Sequence, residues 1–310
     1  HSWPVCHNHE ISIFTNQARE GPIGDRLRAI FARPIEVVGK EPAFRLDFVP
    51  LSKFGVHRFV KLQIVAVDMS ERDALARRTR DWLNDRDGGL LDRKEPFKLF
   101  VQDLWASGQT TLFLVAWSRQ DLQNLMGEDQ AERLYRELEE SAARGLTKTL
   151  FALGESKEIS AELARDYGWT LRLVPGFFAS ADAQNQVVKL NADEPVRLIL
   201  VGWKDQPIPL DPREWEPWRG EILFRMNDGD FIEPSRTSVF TTEFQGRPAL
   251  KWEGVWQNEK YVIGGPFRAY AFNHGPRAYC LIGQVYAPGN PKVNTLRQLE
   301  GLFATFEVLE

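Results

Sequence analysis

The chain has 310 residues, 43% hydrophobic and 26% charged, enough to bury one large core or two of ordinary size. Its net charge is −4 with both signs interspersed, which excludes a basic nucleic-acid footprint and a polybasic membrane patch. No apolar run reaches the length of a membrane span, and 18 Pro with 23 Gly favour many short strands over long helices.

The start at His1 rather than Met reads as a processed or trimmed N-terminus. Residues 9–15 alternate as a strand does. A Gly21-Pro22 break leads into a helix capped by Asp25 and ended by Pro34, with Leu27, Ile30 and Phe31 on one face. Extended runs at 44–49 and 59–67 suggest neighbouring antiparallel strands with one wet face. The charged segment 71–93 carries only a thin apolar stripe around Leu75 and Trp82. Runs 97–106 and 109–117 read as a hairpin turning at Ser107-Gly108. Helices follow at 119–126, at 130–144 (Leu134, Leu138 and Ala142 at helical spacing) and at 159–167, where Gly168 stops the last.

In the second half, strands are expected at 169–174, 186–190 and 196–203. A proline-rich connection at 207–217 precedes a helix near 219–226 and a turn at Asn227-Asp228-Gly229. Further strands are expected at 238–244, 250–256, 260–263, 267–272 and 278–286, and a helix at 295–305 with Leu296, Leu299, Leu302 and Phe303 on one stripe. Strands grouped between groups of helices predict an α+β fold, with largely antiparallel sheets and helices packed on one face. The halves 1–153 and 154–310 are similar α+β units or parts of one continuous domain.

No arrangement of residues specifies a reaction. His7 and His9 alternate onto one strand face and could share a metal, but no third ligand stands at motif spacing, so an exposed N-terminal arm is favoured. His57 and His274 are isolated. Cys6 and Cys280 are a candidate disulfide in an oxidising compartment, against the alternative of a buried free thiol. Lipid attachment at Cys6 is disfavoured by the preceding Trp3-Pro4-Val5. Gly264-Gly265-Pro266 reads as a tight strand turn or bulge needing permissive φ, since Pro266 lacks the donor a phosphate cradle needs. Trp252 and Trp256 alternate onto one strand face, and Tyr270 and Tyr279 lie on later strands. These rings are candidate interface or ligand aromatics, with core packing the commoner use. No catalytic residue, cofactor or metal site is predicted.

Several short segments carry a resemblance: Glu41-Pro42 with Phe44, Trp105-Ala106 with Gln109, Gly254-Val255-Trp256, Gly264-Gly265-Pro266-Phe267, Val285-Tyr286-Ala287-Pro288, Lys292 and Leu296-Arg297-Gln298-Leu299-Glu300. Through them the chain resembles, from about Glu10 onward, the Bacteroidota envelope lipoproteins grouped as domain of unknown function 4837. The resemblance implies export to the periplasmic face of the outer membrane, the cell surface or the extracellular space. It implies no assigned reaction or cofactor, and a lipid anchor in the precursor that Cys6 does not match.

Two readings of function follow. The first is an exported, non-enzymatic protein that binds other envelope proteins or copies of itself. The second is a ligand-binding, glycan-binding or hydrolytic envelope protein, with Trp252 or Trp256 in a pocket beside Glu243 and Glu253.

Overall fold

The computed structural model describes residues 9–84, 86–152, 154–193 and 195–309. The described residues divide into two compact units, one holding 9–35 and 42–149, the other 36–41 and 150–309.

In chain order come β1 (Glu10–Thr15), α1 (Pro22–Phe31), β2 (Pro34–Glu36), β3 (Lys40–Pro42), β4 (Arg45–Phe48) and α2 (Phe54–His57), all in the N-terminal unit except residues 36–41 of β2, β3 and their link, which belong to the other. The N-terminal unit continues with β5 (Leu62–Asp68), α3 (Ala74–Leu83), α4 (Leu90–Arg93), β6 (Phe97–Gln102), β7 (Thr110–Ala116), α5 (Arg119–Asn124) and α6 (Glu128–Leu150). Its main sheet has the order β4-β1-β5-β7-β6. β1 pairs in parallel with both β4 and β5, and β5 in parallel with β7. Only the expected β6–β7 hairpin is antiparallel. The antiparallel sheet with one wet face, expected here, is therefore corrected. Every residue of β5 and β7 is buried, as strands covered on both faces must be. Ile11, Ile13, Ile64 and Leu112 meet α1, α5 and α6 on one face; Phe14, Val65, Val67 and Phe113 meet Leu75 and Leu83 on the other.

The C-terminal unit runs α7 (Lys157–Tyr167), β8 (Trp169–Thr170), β9 (Phe178–Asp182), β10 (Val187–Asp193), β11 (Val196–Lys204), α8 (Pro212–Met226), β12 (Phe231–Ile232) and β13 (Ser238–Phe244). Then come β14 (Arg247–Asn258), β15 (Ile263–His274), β16 (Arg277–Tyr286), α9 (Val293–Phe303) and β17 (Glu307–Val308). The eight-stranded sheet has the order β12-β14-β15-β16-β11-β10-β9, with β13 also paired to β14. Its pairings are antiparallel throughout.

The fold class is α+β and mostly antiparallel, as expected, but helices cover both faces of the large sheet. On one face Leu250, Trp252, Ala269, Cys280 and Leu200 pack against Trp215, Trp218, Ile222 and Leu223 of α8. On the other face α9 lies over β15 and β16, where Phe303 meets Tyr270. The N-terminus of α9 is capped by Glu41, whose Oε2 accepts from the Lys292 and Val293 amides at 2.8 and 3.2 Å.

Gly264 and Gly265 do not form a turn: both lie inside β15, opposite Gln257 and Trp256, and neither has positive φ. Their need is space, because a Cβ at Gly265 would collide with the Val285 carbonyl oxygen. Pro266 lies one residue before the first β15–β16 pair, Phe267 with Gln284, so its missing N–H breaks no ladder bond there.

Candidate functional site

α8 begins at Asp211, whose side chain accepts from the Arg213 amide, with Pro212 in the first turn. It ends at Asn227, where Asp228 and Gly229 take left-handed backbone and the Gly229 amide bonds the Phe224 carbonyl at 2.9 Å. That reversal turns the next residue, Asp230, back under the helix end. Asp230 is only 4% exposed.

Three amide side chains hold this corner. Asn258 Nδ2, at the end of β14, donates to the Asn227 and Asp228 carbonyls and to Asp230 Oδ1 at 2.8 Å. Gln284 Nε2, on β16, donates to Asp230 Oδ2 at 3.0 Å. Gln284 Oε1 accepts from Asn227 Nδ2 at 2.8 Å, while Asn227 Oδ1 is buried with no hydrogen-bond partner. Burial pushes the Asp230 carboxyl above its ordinary value, and hydrogen bonds from Asn258, Gln284 and Asn227, with the Lys189 charge, oppose that push.

These groups form the floor of a cleft of about 330 Å³, within the usual range of small-molecule pockets. Leu198, Met226, Trp256, Ile263 and Tyr286 form its apolar walls. At the rim, Asp228 accepts from Tyr261 Oη at 2.6 Å and pairs with Lys260. Lys189 Nζ donates to the Met226 carbonyl at 3.1 Å, a cation at the negative end of α8.

Little of this was visible in the sequence. Asn227-Asp228-Gly229 was legible as a turn, but Asp230 reads as more of it. The usable signal was Gln284, a lone amide within the apolar run of β16.

The candidate interface or ligand aromatics lie in several places. Trp252 is 1% exposed, in the layer against α8, with the Arg219 guanidinium 4.8 Å over its ring. Trp256 is also buried, yet it borders the cleft, and its Nε1 donates to the Val285 carbonyl at 3.3 Å. Tyr270 lies on the opposite sheet face, 5.0 Å from the Phe244 ring and 6.1 Å from Phe303. Tyr279 stacks on Phe272. Trp252 and Trp256 thus serve the commoner use, core packing, on one face of the sheet, and Tyr270 packs among Phe244 and Phe303 on the other.

The expected acidic pair does not assemble either. Glu243 sits exposed on β13 opposite Pro248, whereas Glu253 faces Ser238 at the other end of that pairing. Glu253 instead joins an ion network with Lys251 at 2.7 Å and Arg268 at 3.4 Å. Glu300 of α9 completes it, accepting from Lys251 at 2.8 Å, from Tyr270 Oη at 3.1 Å and from Arg268. Burial alone would raise the Glu300 carboxyl, but Arg268 and then Lys251 pull it down to about 2. The network fastens α9 to the sheet through Glu300, whose two oxygens are both engaged.

Cys280 is fully buried, and burial pushes its thiol up to about 12. Cys6 lies outside the described residues, and with it the proposed pairing; His7 lies outside them too. Among the described residues, no group of three or more His, Cys, Asp or Glu could hold a metal ion. His57 does have neighbours: Ser12 Oγ and an Asp47 oxygen lie 3.3 and 3.8 Å from its Nδ1. Both address the same nitrogen, so they do not form a relay through the ring. Among the described residues, no helix is long and apolar enough to cross a membrane.

Residues 229–305 match the family described as Domain of unknown function (DUF4837), so the predicted resemblance is borne out there. Residues 7–150 match a different one, Domain of unknown function (DUF8532), which corrects the extent expected for the first. No curated protein matches the chain. A crystal structure from Bacteroides thetaiotaomicron is similar over 46% of this chain, at 9% identity and a TM-score of 0.31, and the chain spans 46% of that protein. The solution structure of cyanobacterial PsbP (CyanoP) from Synechocystis is similar over 46% of this chain and 86% of its own, at 11% identity and a TM-score of 0.31.

Proposed function

We propose that this chain, with the DUF4837 likeness across the corner that holds Asp230, is an exported, non-enzymatic envelope protein that binds a small ligand in the α8 cleft. One observation carries the reading. A buried carboxylate is held open by two neutral amides at the floor of an apolar cleft, which is the arrangement of a specific binding site. Export rests on the family resemblance alone, and fractionation of cells should place the protein with the envelope.

A fragment screen read by indole and side-chain amide NMR on the full chain tests the binding. Fragments that bind should shift the Trp256 indole and the Gln284 amide, and Ile263→Trp, which fills the cleft, should abolish those shifts. A screen that leaves both signals unmoved removes the ligand reading.

A second reading, association with another subunit, is favoured by one feature. Strand β13 is largely exposed, including Val239 and Phe240 (41% exposed) on its two faces, and among the described residues it pairs with β14 alone. Light scattering should then show a dimer or larger species that Phe240→Lys returns to monomer. Monomers alone across the micromolar range, with nothing recovered in envelope pull-downs, would sink this alternative.

A further inference from the structure

The floor of the cleft holds more acceptors than donors. The Asp230 oxygens accept from the Asn258 and Gln284 amides, Asn227 adds a weaker hydrogen bond, and Lys189 acts on the carboxylate through space without forming an ion pair among the described residues. A buried carboxylate whose partners are neutral amides is costly to keep charged unless a charged donor completes it.

The backbone adds to the same field. α8 has 15 residues, and its C-terminus supplies Met226 and Asn227 to the cleft. The carbonyl end of a helix carries about half a negative charge and favours cations. Lys189 already places an ammonium on one of those carbonyls. The aromatic walls act in the same sense, because the faces of Trp256 and Tyr286 attract a desolvated cation.

Two charges compete. Lys189 would attract an anion, but its ammonium is engaged by Met226, and an anion bound there would face Asp230. Asp228 is tied to Lys260 and Tyr261 at the rim and offers little charge inward.

Resting on the reading of this cleft as a ligand site, we infer that its ligand is a small primary amine. The ammonium donates to Asp230, and an apolar body lies against Trp256, Ile263 and Tyr286.

Titration calorimetry on the full chain at pH 7 separates the class from the site. The probes share one phenylethyl body: phenethylamine, the neutral 2-phenylethanol and the anionic 3-phenylpropionate. Phenethylamine should bind at least about tenfold more tightly than the alcohol, the scale of a charge-assisted hydrogen bond, and the carboxylate should bind least. Asp230→Asn, checked for a native melting transition, should erase the preference for the amine. If that variant does not fold, the comparison on the native chain decides alone. Equal affinity for alcohol and amine, tighter binding of the carboxylate, or a preference surviving Asp230→Asn overturns the amine assignment while leaving the cleft a binding site. Fragments binding at the cleft while none of the three probes does so also overturns the amine class. No binding by either the fragments or the probes overturns both.

Discussion

Cys280 shows how far burial alone determines chemistry. Its thiol lies in the apolar layer between β16 and α8, and the nearby Arg219 cation only partly opposes the upward push of burial. A thiol reacts as the thiolate, so this one is inert while the layer is closed. Alkylation of the native protein at pH 8, mapped by peptide to distinguish Cys280 from Cys6, should leave Cys280 unmodified and then follow the rate of unfolding. Rapid native labelling would contradict this placement. Arg219 was not legible in the sequence at all. An arginine within a helix reads as surface, yet this one is buried with Nε and Nη1 unpartnered, stacked over Trp252 and Phe267. Trp252 was legible as an inward or outward choice, which only the helix across from it could settle.

At the scale of elements, three glycines let helices and strands approach closely, and they differ in what they touch. A Cβ at Gly202 meets the Ile222 Cδ1 tip at 2.5 Å, a flexible end that can move. At Gly283 it meets Phe303 Cζ at 2.8 Å, a ring held between α9 and the sheet. At Gly265 it meets a backbone carbonyl of the neighbouring strand, which can yield only by moving the ladder. Chemical denaturation should therefore rank Gly265→Ala as the most destabilising, Gly283→Ala next at about 1–3 kcal/mol, and Gly202→Ala the mildest. A reversed order would show that the sheet, not the side chains, is the softer partner. The strands carrying these glycines were legible from their apolar runs, and α9 from its leucine spacing. Strand direction in the N-terminal unit was not. Alternation reports which face a residue takes, whereas parallel pairing shows only as an almost unbroken apolar run such as Leu62-Gln63-Ile64-Val65-Ala66-Val67. The first half of α8 was missed because Pro217 suggested a break, although Asp211-Pro212 is a sound helix start.

For the molecule as a whole, the Glu300 network links stability to acidity. Its carboxyl has an ordinary value of 4.5 and sits at about 2 in the folded chain, so the folded state favours the ionised form. The resulting stabilisation is complete above about pH 4.5 and is lost as pH falls towards 2, on the order of 3 kcal/mol in all. Glu300→Gln should be less stable than the native chain at pH 7, because Arg268 and Lys251 keep their charges without it. Its stability should also change less between pH 4.5 and 2. Parallel pH profiles for the two proteins, measured by urea unfolding, would refute this assignment.

The close fit of Gly265 against Val285 also acts as a key for strand register. Moving β15 one residue along its neighbour in one direction would bring Pro266 into the slot at Val285, where even a Cβ cannot enter. Moving it the other way admits Gly264, but turns Arg268 from Glu300 into the apolar layer beneath α8. One alternative is blocked by shape and the other by charge. The Gly-Gly-Pro run thus helps select one frame for β15 beside β16, by shape in one direction and by charge in the other.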